Sequence, residues 1–163
     1  MTMNITIPRD LIFHRVKMST AYIAARNSAP TECYDRIAAT NADDEMLQHF
    51  WQDACEEAYA CLRSWLLPSP SKDFEGESGG DSLSAYSLDF NATLSLPPYV
   101  ENIKGPSILT TLQAMMTCSI LTRWTGIVDP DSENRYAAET VRWRHRLARL
   151  LSFRPHPRPV PLI

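Results

Sequence analysis

The chain has 163 residues, 44% of them hydrophobic, and carries a formal net charge of −3. That length favours one domain with a core large enough to need no staples, and the composition is that of an ordinary soluble protein. No apolar run approaches the ~18 residues that span a bilayer, and MTMNITIPRD lacks a basic stretch followed by an apolar one, so a chain made and kept in a cytoplasm, with no membrane partner, is expected.

Thr2 to Thr6 reads as a short extended arm, because Ile5 and Ile7 alternate with polar residues. Pro8 suits a helix start. From Arg9 to about Arg26, Ile12, Val16, Ser19 or Thr20, and Ile23 form a helical stripe. Arg15, Lys17 and Arg26 would face the acidic helix that follows. Asn27 to Asn41 is a connection punctuated by Pro30 and Thr31, with room for a helical turn around Glu32 to Ala39.

Asp43 to Leu67 is the strongest helical pattern. Leu47, Phe50, Trp51, Ala54, Ala58, Cys61, Leu62 and Trp65 mark one face, and Glu45, Asp53, Glu56, Glu57 and Arg63 the other. Asn41 or Thr40 is its cap. Thr40 and Asp43 have capping-box spacing, and the acids of the first turn oppose the positive end of the helix dipole. Pro68 stops it.

PSPSKDFEGESGGDS, Pro68 to Ser82, is a surface loop by composition. The period then becomes two: Tyr86, Leu88, Phe90, Ala92, Leu94 and Leu96 alternate with polar residues until Pro97 and Pro98. This is one half-buried strand or, if Asn91 turns, a hairpin. Neither holds itself folded in water. Its partner is the N-terminal arm or a neighbouring copy, which makes Tyr86, Leu88 and Phe90 candidate subunit-interface residues.

Gly105 and Pro106 introduce a third helix, Ser107 to about Trp124, with Ser107 as cap. Ile108, Leu109, Leu112, Met115, Met116, Ile120 and Leu121 make it the most apolar helix and the central one. Its methionines read as core filling rather than an adaptable surface. Gly126 is placed to close it in the left-handed region. The fourth helix opens across Pro130 to Glu133, capped by Asp131 or Ser132. It buries Tyr136, Thr140, Trp143 or Val141, Leu147, Leu150 and Leu151. Arg142, Arg144, His145, Arg146 and Arg149 crowd its exposed side. Dipole matching and solubility explain these bases, and Arg142, Arg146 and Arg149 are also candidates for a subunit interface.

FRPHPRPVPLI, Phe153 to Ile163, favours an extended polyproline conformation. A stiff segment loses little entropy on docking. Arg154, Pro155, His156, Pro157, Arg158, Pro159, Val160, Leu162 and Ile163 are therefore candidate partner-binding residues. The resulting expectation is a mainly α protein. A four-helix bundle spans 1–152, with a strand or hairpin insertion at 68–104, followed by a docking tail at 153–163.

Charge is unevenly spread. Thr31 to Glu101 holds 14 acids against 3 bases, a balance of −11, while Asn102 to Ile163 holds 9 bases against 4 acids, a balance of +5. The two halves pair within one chain or between neighbours. Cys33, Cys55, Cys61 and Cys118 form no CxxC pair and read as reduced, so no metal and no cofactor is expected. GxSxG, P-loop and HExxH patterns are absent, the histidines are dispersed, and the paired acids point to different helix faces. No catalytic residue is assigned, and an enzyme ranks behind the non-enzymatic readings.

The run DDEMLQHFWQDACEEAYACLRSWL resembles the first motif of the small head–tail connector (adaptor, or neck) proteins of tailed bacteriophages. That motif is an acidic cap, a leucine and an alanine-centred helix ending in an aromatic. LSLPPYVENIKGP occupies the place of that family's variable insertion. SILTTLQAMMTCSILTRWTG is similar to its second motif, and RHRLARLLSFRP to its last, a helix ending Leu-Leu before a basic, proline-containing stretch. The resemblance covers roughly Asp43 to Pro155. The long first helix and the proline tail depart from the pattern.

The resemblance implies a structural virion protein at the head–tail junction, present in the host cytoplasm during assembly. Copies would form a homo-oligomeric ring following the twelve-fold portal protein, with the next neck or tail protein on the other side. Double-stranded DNA would pass through the lumen without being read. Asp53, Glu56 and Glu57 are assigned to that lumen, where negative charge would not grip phosphates. The alternative is a small helical regulatory adaptor that binds one partner through its proline-rich tail.

Overall fold

The computed structural model describes residues 2–26, 35–67 and 89–152, without the side chains of 98, 99 and 101–103. The loop expected at Pro68 to Ser82, the start of the expected strand and the tail from Phe153 lie outside the described residues. What is described is mainly helical, with one small two-stranded antiparallel sheet. In chain order the elements are β1 (Thr2–Ile7), α1 (Arg9–Arg26), α2 (Asp44–Leu62), β2 (Phe90–Ser95), α3 (Pro98–Val128) and α4 (Pro130–Leu151). Short 3-10 turns at Asn41–Asp43 and Arg63–Trp65 flank α2.

The expected entry to α2 forms. The Thr40 side chain accepts from the Ala42 amide, and the Asp43 carboxylate accepts from the Thr40 amide, which together make a capping box. Leu47, Trp51, Ala54, Cys55, Ala58 and Leu62 are buried from that face. Trp51 is fully buried and meets Phe13 of α1 edge-on at 6.3 Å.

The described part of the strand expected over Tyr86 to Leu96 pairs with the N-terminal arm of its own chain. Thr2 stands opposite Ser95 and Ile7 opposite Phe90. Ile5, Ile7, Phe90, Ala92 and Leu94 point into the core, and the polar residues between them face out. Asn91 sits inside β2 and makes no hairpin turn there. The second edge of β2 is partly covered as well: Leu66 bridges Leu94, and the Leu67 amide donates to the Thr93 carbonyl at 2.9 Å. The strand's backbone is thus met from within the chain, which removes the reason to look for a neighbouring copy at β2.

α3 is longer than the sequence reading. It begins at Pro98, nine residues before Ser107, and keeps Pro106 in its interior. Pro98 fits the first turn, where a missing N–H costs nothing. Pro106 does not end the helix because its neighbours are fixed by packing. Val100 and Ile108 are fully buried on either side of it, and Gly105 lets Met3 of β1 lie against the helix. Tertiary burial overrides a local breaker here.

Gly126 is also helical, and α3 runs on to Val128. The glycine serves a close approach instead, since a Cβ there would stand 3.2 Å from Glu133 Cδ. α4 is capped by Asp129, with Pro130 at its first position, rather than by Asp131 or Ser132. Ser132 Oγ donates to Asp129 Oδ2 at 2.6 Å and closes that turn.

α3 is the central helix, as its apolar run implies. It touches α1, α2, α4 and β1. Leu112, Met115, Met116 and Ile120 are fully buried, so the methionines fill the core. A smaller cluster of Ala24, Ile37 and Ala38 closes the end near Trp124, whose indole Nε1 donates to the Ile37 carbonyl at 2.8 Å.

Candidate assembly surfaces

The outward face of α4 follows from helical spacing. Ala138, Val141, Arg142, His145, Arg146 and Arg149 recur every three or four residues and line one groove. All six are exposed, Val141 at 49%. The choice between Val141 and Trp143 for the buried stripe therefore falls on Trp143, which packs against the core. Arg142 Nη1 is 3.8 Å from Glu139 Oε1 on its own helix. The Arg146 guanidinium lies 5.4 Å from the centre of the Trp143 ring, a cation–π distance that steadies it at the surface. The candidate trio Arg142, Arg146 and Arg149 is thus brought together on one solvent face.

The acids assigned to a lumen behave differently from one another. Glu57 is half-buried and engaged: Oε1 takes Arg123 Nη2 at 2.7 Å, and Oε2 accepts from Ser119 Oγ at 3.0 Å and faces Arg144 at 3.6 Å. Asp53 meets Arg123 at 3.3 Å. These contacts pin α2 to α3 and α4. The acidic and basic halves of the chain therefore neutralise one another here, and Lys17 with Asp44, 2.6 Å apart, does the same between α1 and α2. Glu56, by contrast, is exposed.

Phe90 is 1% exposed and stacks at a tilt on Tyr59 with ring centres 4.6 Å apart. Its area is spent inside its own subunit, which corrects its assignment to a subunit interface. The cause is the pairing of β1 with β2, which turns that face inward. Tyr86, Leu88 and the tail residues Arg154 to Ile163 lie outside the described residues.

One surface escaped the sequence reading. Met18 of α1, Ala114 and Leu121 of α3, and Tyr136, Glu139 and Trp143 of α4 line a mostly apolar groove of about 430 Å³. Met18 is 60% exposed. The available signal was the seven-residue spacing of Tyr136 and Trp143. It puts both rings on one stripe, yet that stripe read simply as core.

Two of the thiols are quiet. Burial pushes Cys55 up to about 12, with the Glu56 charge adding to it, and pushes Cys118 up to about 11, with Glu139 adding to it. A thiol held protonated is a poor nucleophile and metal ligand. Among the described residues, no group of three or more His, Cys, Asp or Glu side chains is placed to hold a metal ion, and no helix is long and apolar enough to cross a membrane.

What this surface brings together is an arginine stripe on one helix and an aromatic-walled groove beside it. Comparison with known protein families, with characterised proteins and with solved structures finds no match.

Proposed function

We propose that the chain is a structural virion protein, a head–tail connector built as a four-helix bundle that assembles into a ring between portal and tail. The observation that carries this reading is the exposed stripe Arg142, Arg146 and Arg149 on α4, set against the exposed acids Glu45 and Glu56 on α2. Two unlike, complementary faces on one subunit favour head-to-tail contacts, and such contacts close into rings when the rotation allows. The order of motifs from Asp43 to Pro155 supplies the class.

In this reading the ring follows the twelve-fold portal, receives the next neck or tail protein on its other side and passes double-stranded DNA. Asp53 and Glu57 hold the body together, and Glu56, exposed on α2, is given to the contact between subunits rather than to the lumen.

The test is particle mass, alone and with the portal protein. The triple reversal Arg142→Glu, Arg146→Glu, Arg149→Glu should abolish ring formation. The companion reversals Glu45→Arg and Glu56→Arg should restore it. Rings that form unchanged with the triple reversal, or a persistent monomer that binds a peptide-recognition domain through its tail, would overturn the proposal.

A further inference from the structure

We infer that the groove between α1, α3 and α4 is a receptor for the proline-rich segment Phe153–Ile163 of a second copy of this chain. The inference needs two copies to meet, and in that it rests on the assembly reading. It does not need them to form a ring.

The groove has the chemistry of a polyproline site. Its α4 wall carries Tyr136 and Trp143, both half-buried, with Glu139 between them in sequence and on the same stripe. Met18, Ala114 and Leu121 add apolar lining from α1 and α3, and Arg15 also lines the groove. Extended proline-rich segments dock in grooves walled by aromatic rings, because their shape is set before binding.

The segment fits in spacing and in charge. Polyproline repeats every three residues, so Pro157, Val160 and Ile163 would share one apolar edge, successive members about 9 Å apart. Tyr136 and Trp143 are seven helical residues apart, a rise of about 10 Å. Each ring can therefore receive one member of that edge. Arg158, next to Pro157, is then placed to meet the Glu139 carboxylate.

A second copy is the better donor than the chain itself. α4 ends at Leu151, and the groove lies back along α4 toward its start. Reaching it within one chain needs a reversal in the three residues Ser152 to Arg154. Beyond them Pro155, Pro157, Pro159 and Pro161 stiffen the segment against turning.

The experiment places a benzophenone photo-crosslinking residue at Leu162 in the full chain. This light protein is mixed with isotopically heavy wild-type chain and irradiated. The expected products are light-to-heavy peptide pairs that end on the groove, at Met18, Trp143 or their neighbours. Met18→Glu or Glu139→Lys in the heavy chain should lower that yield roughly tenfold, and both sites lie outside the core. Light-to-light pairs alone at high dilution, pairs that end elsewhere, or no pairs up to the solubility limit would each overturn the inference. Particle mass separates the two readings. Groove cross-links without rings would sink only the connector proposal, and rings that persist with Met18→Glu and no groove cross-links would sink only this one.

Discussion

Arg123 Nη2 lies 2.7 Å from Glu57 Oε1, and that contact joins α3 to α2 through a polar bolt. Glu57→Ala strips Arg123, Ser119 and Arg144 of one shared acceptor. The expected loss is about 1–3 kcal/mol, since the carboxylate is half-buried and its two arginine partners remain charged. Glu57→Gln keeps an acceptor for Ser119 and should cost less. Urea denaturation of the three proteins measures both, and equal midpoints for all three would remove the bolt from the account.

Trp124 and Ile37 form a second tie. Trp124→Phe keeps most of the ring's apolar area but leaves the Ile37 carbonyl without its indole donor, at a cost of about 1–2 kcal/mol. The neighbouring Ala39 amide donates to Thr20 Oγ1 at 3.0 Å, so the segment at 37–39 is held at two points. Amide exchange at Ala38 and Ala39 should quicken in the variant. Unchanged exchange there, with global stability also unchanged, would contradict the tie.

Pro106 lies inside α3 and is exposed. Pro106→Ala restores a backbone N–H to the helix ladder and relieves a clash, an effect of about 3 kcal/mol in a helix interior. Releasing the unfolded chain takes back up to about 1 kcal/mol. The variant should therefore melt higher, by several degrees in a thermal scan. A lower melting point would overturn this and show that the proline's fixed φ supports the packing at Val100 and Ile108.

Stability should fall in alkali partly through Cys55. Burial lifts its thiol from 9.0 to about 12, so the unfolded chain gives up that proton first. The contribution is fully present below pH 9.0 and is lost as pH rises toward 12, at up to about 1.4 kcal/mol per unit. Cys55→Ala should show a shallower decline than wild type between pH 9 and 10.5. Parallel declines would show that the thiol takes no part.

The helices were legible where apolar spacing and caps agreed, as at α2, whose Thr40 and Asp43 announce its start and whose buried face matches the stripe from Leu47 to Leu62. The alternation through Phe90, Ala92 and Leu94 also named β2, but left its partner open between the arm at Ile5 and Ile7 and a neighbouring copy, and pairing within the chain decides for the arm. Long-range packing decided the rest. Pro106 and Gly126 are local stop signals that burial of Val100, Ile108 and Trp124 overrules. Phe90 seemed available because alternation tells which residues share a face, not whether that face is covered by the chain's own Tyr59. The groove at Tyr136 and Trp143 was hidden for a related reason: periodicity cannot separate a ring sealed in the core from one left half open at a seam between helices.

The sheet has a consequence for biogenesis. Thr6 Oγ1 donates to Asn91 Oδ1 across 85 positions. During synthesis β1 must wait, with Ile5 and Ile7 bare, until its mate appears. α1 and α2 wait too, because the helix they lean on is made later still. The stretch between the two strands is therefore translated while β1 lacks its mate, and chaperone demand should track the pace of elongation between residues 7 and 95.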